Sequence, residues 1–137
     1  GGVAANNPSA SAVAEALRLG HKIEDISVLS IGTGERTQII RYKQAQEWGL
    51  LEWAQPLIGV LFDASSDIYQ YITEHIMHNR LLRLQFQLDR QLTGKRLSDE
   101  IDDASEENIN NLIEAAKVYI NQPLVQAKLQ KFLQVNQ

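Results

Sequence analysis

Several sets of residues in this 137-residue chain have types and spacings that could do chemistry. His75 and His78 stand three apart beside Glu74, and two imidazoles at i and i+3 of a helix can share a metal ion. A metal site also needs a third ligand and an open position, and His-Glu-x-x-His is absent, so surface histidines are the favoured reading. Ser9, Ser11, Ser65 and Ser66 carry hydroxyls that an adjacent base could activate. None lies in Gly-x-Ser-x-Gly, whose glycines give a strand-to-helix serine its steric room, so packing and surface roles are favoured. Asp63, Asp67, Asp102 and Asp103 lack calcium-loop spacing. Asp102 and Asp103 better fit a helix N-terminus, where negative charge is favoured by about 0.3 to 1 kcal/mol. Gly32-Thr33-Gly34-Glu35 opens like a phosphate-binding turn, but Thr37 stands where the third glycine belongs and polar residues follow. A strand-ending turn is the better reading. Trp48 and Trp53 suit a lipid interface or a core, and the core is favoured. The absence of cysteine removes a disulfide framework, a thiolate zinc site and a cysteine nucleophile together.

The elements that must position these residues begin with a helix. Asn7 can accept a hydrogen bond from an orphan amide and Pro8 suits the first helical position. Ala10, Val13, Ala14 and Leu17 recur at helical spacing, and Gly20 ends the run. Ile26 to Ile31 is short, apolar and β-branched, and Gly32-Thr33-Gly34 closes it. That pattern predicts a strand buried on both faces, as in a parallel sheet covered by helices. Between Tyr42 and Asn79, Trp48, Leu51 and Trp53 mark a short helix near Gly49. Pro56 then opens a longer one with Leu57, Val60, Leu61, Ala64, Ile68, Tyr71, Ile72 and Ile76 on its core stripe. Asp63, Asp67 and Glu74 interrupt it, so it is no membrane span. Leu82, Leu84, Phe86 and Leu88 alternate with Arg83, Gln85 and Gln87, which predicts a strand with one wet face near a sheet edge. Thr93-Gly94-Lys95 reads as a turn. Asp103 and Glu106 have capping-box spacing, ahead of a helix stripe of Ile109, Leu112, Ile113, Ala116 and Ile120. Pro123 starts a last helix with Val125, Leu129, Phe132 and Leu133.

Composition bounds the class. Apolar residues make up 44% and charged residues 22% of the chain, which are globular proportions. At this length roughly two-thirds of the chain's surface could be buried if it folds alone. The net charge of −4 supplies no basic face for nucleic acid. No apolar run reaches the roughly 18 residues of a membrane helix. About five helices and two strands are expected, and two strands cannot form the doubly covered sheet that Ile26–Ile31 demands. The only methionine is Met77 and the chain opens Gly1-Gly2-Val3. Both points lead to the expectation that further strands precede this piece, and leave a leader peptide on a longer parent open.

Taken in order, these segments resemble a known family. Gly1-Gly2-Val3-Ala4-Ala5-Asn6-Asn7-Pro8, a small-residue helix, and Leu29-Ser30-Ile31-Gly32-Thr33-Gly34 are similar to the second half of a patatin-like lipid acyl hydrolase. Asp63-Ala64-Ser65-Ser66-Asp67, Leu82-Arg83-Leu84, Leu92-Thr93-Gly94 and Asp102-Asp103-Ala104-Ser105-Glu106 continue the likeness to about Ile120. The specificity lies in the ordered set, since each motif alone is short. The resemblance implies an α/β fold class, here the helix-rich C-terminal portion of a three-layer α/β/α domain. Residues 1–40 would form the helix and strand after the dyad loop, and residues 41–137 a mainly helical remainder with one strand near 82–88.

The resemblance further implies hydrolysis of phospholipid or glycolipid esters by a serine–aspartate dyad, with no metal and no cofactor. Gly1 and Gly2 match the glycines of the family's Asp-Gly-Gly loop. The aspartate would precede Gly1, and the Gly-x-Ser-x-Gly serine and the oxyanion loop would lie farther upstream, so no catalytic residue falls in this chain. The implied partners are the upstream half of the same domain and a lipid or membrane-surface substrate, in a cytoplasmic or membrane-peripheral setting. The competing reading is a non-catalytic helical binding or scaffold module that shares these segments. An aspartate immediately before Gly1 would decide between them.

Overall fold

A computed structural model describes residues 5–36, 46, 49–100 and 102–135. Its elements are α1 (Ser9–Arg18), β1 (Val28–Ile31), α2 (Leu50–Met77), β2 (Leu81–Leu84), α3 (Glu106–Ile120) and α4 (Pro123–Val135), with 3₁₀ turns at Ile23–Asp25 and His78–Arg80. The chain is helix-rich with a small parallel sheet. It divides into two compact units. One comprises Gly1–Val28 with Gln38–Leu81, the other Leu29–Thr37 with Leu82–Gln137.

The first unit is built on α1 against α2. The helix starts one residue later than expected, with Pro8 and not Asn7 as its N-cap and no side chain capping it. Asn7 Oδ1 accepts from the Ser9 amide at 3.2 Å and from the Ser9 hydroxyl just ahead of it. Its Nδ2 reaches the Ser66 carbonyl at 3.5 Å and Gln70 Oε1 at 3.3 Å, both on α2. Asn7 is only 2% exposed, so this side chain is a polar rivet between the helices. Ser9 and Val13 are the buried residues of α1. Ala14 and Leu17, expected on the inner face, are exposed, because the packed side is set by Asn7 and runs through Ser9 and Val13. At the far end of the unit, Arg80 donates to the carbonyls of Ile23 and Ile26 and ties the 3₁₀ turn to the end of α2.

Two expectations for α2 are corrected. It is one helix from Leu50 and not two, and it runs through Pro56. A proline in the second turn removes a single i→i−4 bond, which a helix of this length tolerates. The apolar stripe also faces outward. Leu57, Val60, Leu61, Ala64, Ile68, Tyr71 and Ile72 are all exposed, as is Ile76. The buried side carries Gly59, Thr73 and Met77, with Ser66 and Gln70 half-buried. Small and polar residues let α1 approach closely and receive the Asn7 bonds, so periodicity located the stripe without fixing which side packs.

In the second unit β1 and β2 run parallel. The Gly32 amide donates to the Leu84 carbonyl at 2.9 Å, and Glu35 bridges Gln87 through bonds of 2.8 Å to Phe86 and from Leu88. This register sets Leu29 beside Leu82, Ser30 beside Arg83 and Ile31 beside Leu84. Leu82 and Leu84 form a core with Val125, flanked by Tyr119, Ile120, Leu129 and Phe132. Pro123 does start the last helix. Within this chain β1 is not buried on both faces: Leu29 is 50% and Ile31 69% exposed and only Ser30 is buried, since two strands alone do not supply the double cover that the apolar run calls for. The helices of this unit cover the β2 half of the sheet face and leave the β1 half bare.

The cap of α3 is also corrected. Ser105 is the N-cap, with its Oγ accepting from the Asn108 amide at 3.3 Å. Asp103 instead accepts from the Ser105 amide at 3.1 Å. Hydrogen bonds from Ser105 and Ser98 hold its carboxyl below the usual carboxylate range. The packed residues of α3 are Asn108 and Ala115, while Ile109, Ile113 and Ala116 are exposed. Buried Asn108 can sit on the inner face because both ends of its amide are bonded: its Oδ1 accepts from the Ser98 amide at 3.0 Å and its Nδ2 donates to the Asp103 carbonyl at 3.0 Å.

Replacing Asn7 by alanine removes its bonds to two α2 acceptors, the Ser66 carbonyl and Gln70 Oε1, and takes an acceptor from the Ser9 amide in a buried place. The expected loss is about 1 to 3 kcal/mol of stability, read as a lower midpoint in urea unfolding.

Candidate functional site

Parallel strands converge their chemistry at their carboxyl ends, where α/β sheets bind ligands. In this chain that place is the second unit's Gly32-Thr33-Gly34-Glu35 turn together with Arg83 and Gln85. The turn leaves β1 through the ladder bond from Gly32 to Leu84. Gln85 then reaches across: its Oε1 accepts from the Gly34 amide at 3.3 Å, while its own amide donates to the Tyr119 hydroxyl at 3.2 Å. Tyr119 packs its ring on Phe86, with centroids 5.4 Å apart. Beside the ladder bonds of Gly32 and Glu35, Gln85 thereby links the turn through its side chain and α3 through its backbone amide.

Gly34 is required by its backbone, and Gly32 leaves room for two side chains. A Cβ on Gly32 would lie 1.8 Å from Gln85 Oε1 and 2.8 Å from Arg83 Nη2. Gly34 has φ +112°, and a Cβ there would lie 2.4 Å from Leu88 Cδ2. The strand-ending reading of this turn is therefore the right one: its glycines serve close packing, and the amides of Gly32, Gly34 and Glu35 are all spent on protein acceptors.

Arg83 lies across the same turn. Its Nη1 donates to Ser30 Oγ at 2.8 Å. Burial pushes the guanidinium below its ordinary range, and the negative charge of Glu35 offsets part of that. Sequence reasoning gave Arg83 only the wet face of a strand. The half-buried position follows from the register beside Ser30, which the alternation of β2 alone could not reveal.

The other sequence candidates are scattered. Gly1 and Gly2, the expected remnant of the dyad loop, lie outside the described residues, as do Trp48 and the side chain of Trp53. Ser9 is buried against Asn7, and Ser65 donates to the Phe62 carbonyl at 3.0 Å within α2. His75 has Nδ1 2.8 Å from the Tyr71 carbonyl, and its ring lies over Tyr71 at 4.0 Å. His78 ends α2 with φ 52°. Among the described residues no group of three or more His, Asp or Glu side chains gathers as metal ligands. A polar hollow of about 380 Å³ beside the start of α3 is lined by Arg96, Ser98, Glu100, Asp103, Asn108 and Asn111 among others. Asn108 in its lining is already bonded through both ends of its amide.

Gly34→Ala should lower stability by about 1 to 3 kcal/mol, from overpacking against Leu88 and the unfavourable backbone angle. Urea unfolding should report it, and the amides of Gly34 and Glu35 should lose hydrogen-exchange protection first.

No protein-family profile matches the chain, and no solved structure matches it. Curated relatives do. Patatin-like protein 8 of Arabidopsis thaliana is 29% identical over 140 residues, covering 94% of this chain and 26% of that protein. Patatin-like protein 2 of Oryza sativa subsp. japonica is 29% identical over 157 residues, covering 95% and 37%. Patatin-2-Kuras 4 of Solanum tuberosum is 30% identical over 105 residues, covering 71% and 26%. The chain thus spans between a quarter and two-fifths of the length of these relatives, and over nearly all of its own length it is similar to patatin-like proteins.

Proposed function

We propose that this chain is the C-terminal part of a serine–aspartate lipid acyl hydrolase, acting in its whole form on ester bonds of phospholipids or glycolipids. The observation that carries this reading is similarity to patatin-like proteins across 94 to 95% of the chain. The parallel pairing of β1 with β2 supports it. So do the bare apolar residues Leu29 and Ile31 on β1, which a larger sheet with its own helices would cover. In this reading an aspartate directly precedes Gly1, and the nucleophilic serine and the oxyanion donors come from farther upstream. The upstream half of the domain is the partner and a lipid surface presents the substrate. No helix among the described residues is long and apolar enough to cross a membrane, which is compatible with a peripheral encounter.

The division of labour follows from the chemistry. A serine hydroxyl becomes nucleophilic only when a base takes its proton as the carbonyl is attacked. In the proposed dyad the aspartate is that base, and its position is fixed by the loop that Gly1 and Gly2 continue. Loss of even one oxyanion donor typically costs about 100- to 1,000-fold in rate. With nucleophile, base and donors all outside it, the 137-residue chain contributes scaffold and no turnover.

A chromogenic short-chain ester tests this. The isolated chain should show no hydrolysis sensitive to a serine-directed inhibitor, while a longer form carrying the upstream aspartate and Gly-x-Ser-x-Gly should show it. Inhibitor-sensitive turnover by the isolated chain, or none by the longer form, would refute the reading. In that longer form, Gly2→Val should depress kcat much more than it lowers the melting temperature, because it crowds the loop that places the base. Paired kinetics and thermal melts read the two effects separately.

A further inference from the structure

Arg83 is a half-buried cation whose charge the described residues leave unpaired. Its single hydrogen bond among them goes to Ser30 Oγ, a neutral acceptor. The two ion pairs among the described residues are Arg18–Glu15 and Lys95–Glu114, so no carboxylate lies within ion-pair distance of Arg83. A guanidinium offers five N–H donors in a planar fork, and most of this one's remain unclaimed. Taking a charge out of water without a paired anion is costly.

What surrounds the free end of the fork is also specific. Nη2 leans over Gly32, where any Cβ would come within 2.8 Å of it. The next residue, exposed Thr33, has neither its amide nor its hydroxyl bonded among the described residues, whereas the amides of Gly32, Gly34 and Glu35 are all taken. Unspent donors thus lie on two neighbouring strands close to Gly32, at the carboxyl end of a parallel pair, with Gln85 Oε1 reaching over the same glycine. Glu35 is the acidic group that acts on Arg83 there. It is exposed and stays beyond ion-pair reach.

We propose that Arg83 and the Thr33 tip of the Gly32–Gly34 turn form a binding site for a phosphate-type oxyanion. The guanidinium fork matches two oxygens of a tetrahedral anion, and the Thr33 amide and hydroxyl, one residue on from Gly32, are offered to a third. Glu35 is the built-in competitor: it lends Arg83 a negative charge when the site is empty and weakens the anion when the site is filled. The site stands on Arg83's own surroundings and does not depend on ester hydrolysis.

Titration of the ¹⁵N-labelled chain with inorganic phosphate at neutral pH tests the proposal. Saturable shifts of the Gly32–Glu35 amides and the Arg83 Nε–H are expected in the millimolar range. Arg83→Gln should weaken binding about tenfold or more, as loss of a charge-assisted contact does, with the amides of 106–135 reporting an intact fold. Glu35→Gln, which leaves the turn's backbone bonds in place, should tighten binding about threefold by removing a like charge. Absence of a saturable response overturns the proposal. So does an Arg83→Gln variant that binds as before, or a Glu35→Gln variant that binds no better.

A second arm compares dihexanoyl phosphatidic acid with inorganic phosphate and with neutral dihexanoylglycerol. Phosphatidic acid binding about tenfold tighter than phosphate assigns the site to a lipid headgroup, and equal binding assigns it to free phosphate. Neutral lipid producing the same shifts would overturn it. Because every readout is binding, failure here is separable from failure of the hydrolase assay.

Discussion

The register between β1 and β2 is the constraint on which the second unit depends. One ladder bond, Gly32 to Leu84, fixes which residues stand side by side. It places two leucines and an isoleucine-leucine pair on one face and Ser30 with Arg83 on the other. A slip of one residue would exchange those faces, burying a guanidinium under α4 and turning Leu82 and Leu84 outward. That alternative is prohibitive, because an unpaired charge among Val125, Leu129 and Phe132 would have to be desolvated. The apolar core under α4 and the polar turn at the strand ends are therefore two consequences of one pairing.

Polar rivets perform the corresponding task in each unit. Asn7 joins α1 to α2, and Asn108 joins the start of α3 to the loop before it. Each lies almost wholly out of solvent and each uses both ends of its amide. Such groups add little net energy when satisfied and cost much when one partner is lost. Their value is positional. They set which side of a helix packs, and in both cases that side is not the one with the largest apolar residues. The consequence is visible on α2, where Leu57, Ile68 and Tyr71 remain about half exposed or more. Fully burying side chains of this kind is worth about 1.5 to 3 kcal/mol each, so the described contacts leave a large part of the available hydrophobic stabilisation unused.

This explains what the amino-acid sequence discloses and what it withholds. Chain-local signals read correctly. Gly20 follows the end of α1 and Pro123 opens α4, while Asn7-Pro8 marks the start of α1 one residue early and the alternation at 82–88 marks β2, which ends at Leu84. Those features depend on backbone geometry and on orphan amides within a few residues. Signals that need a partner read less well. The α2 stripe was legible as a stripe but not in its direction, since periodicity is silent on which face meets another element. The apolar run in β1 is legible as a strand, but the cover that such a run calls for on both faces must come from other elements, and the contacts of this unit supply it for β2 alone. The start of α3 fell between the two: acidic residues near 103 marked it, while the cap itself is Ser105, two positions on.

The same distinction bears on the strand-end turn. Its pattern, Gly-x-Gly after a strand, suggests amides free to hold phosphate, yet three of the four amides from 32 to 35 are committed to protein acceptors. A glycine here is selected by what presses against it, Gln85 and Arg83 at Gly32 and Leu88 at Gly34. The positive charge that the pattern would have sought in a backbone nest is supplied instead by a side chain from the neighbouring strand. Position 83 sits opposite Ser30 only because the strands are parallel and in this register. Its chemistry is therefore a property of the fold and of no motif, and it reaches the surface at the edge where a parallel sheet presents its functional groups.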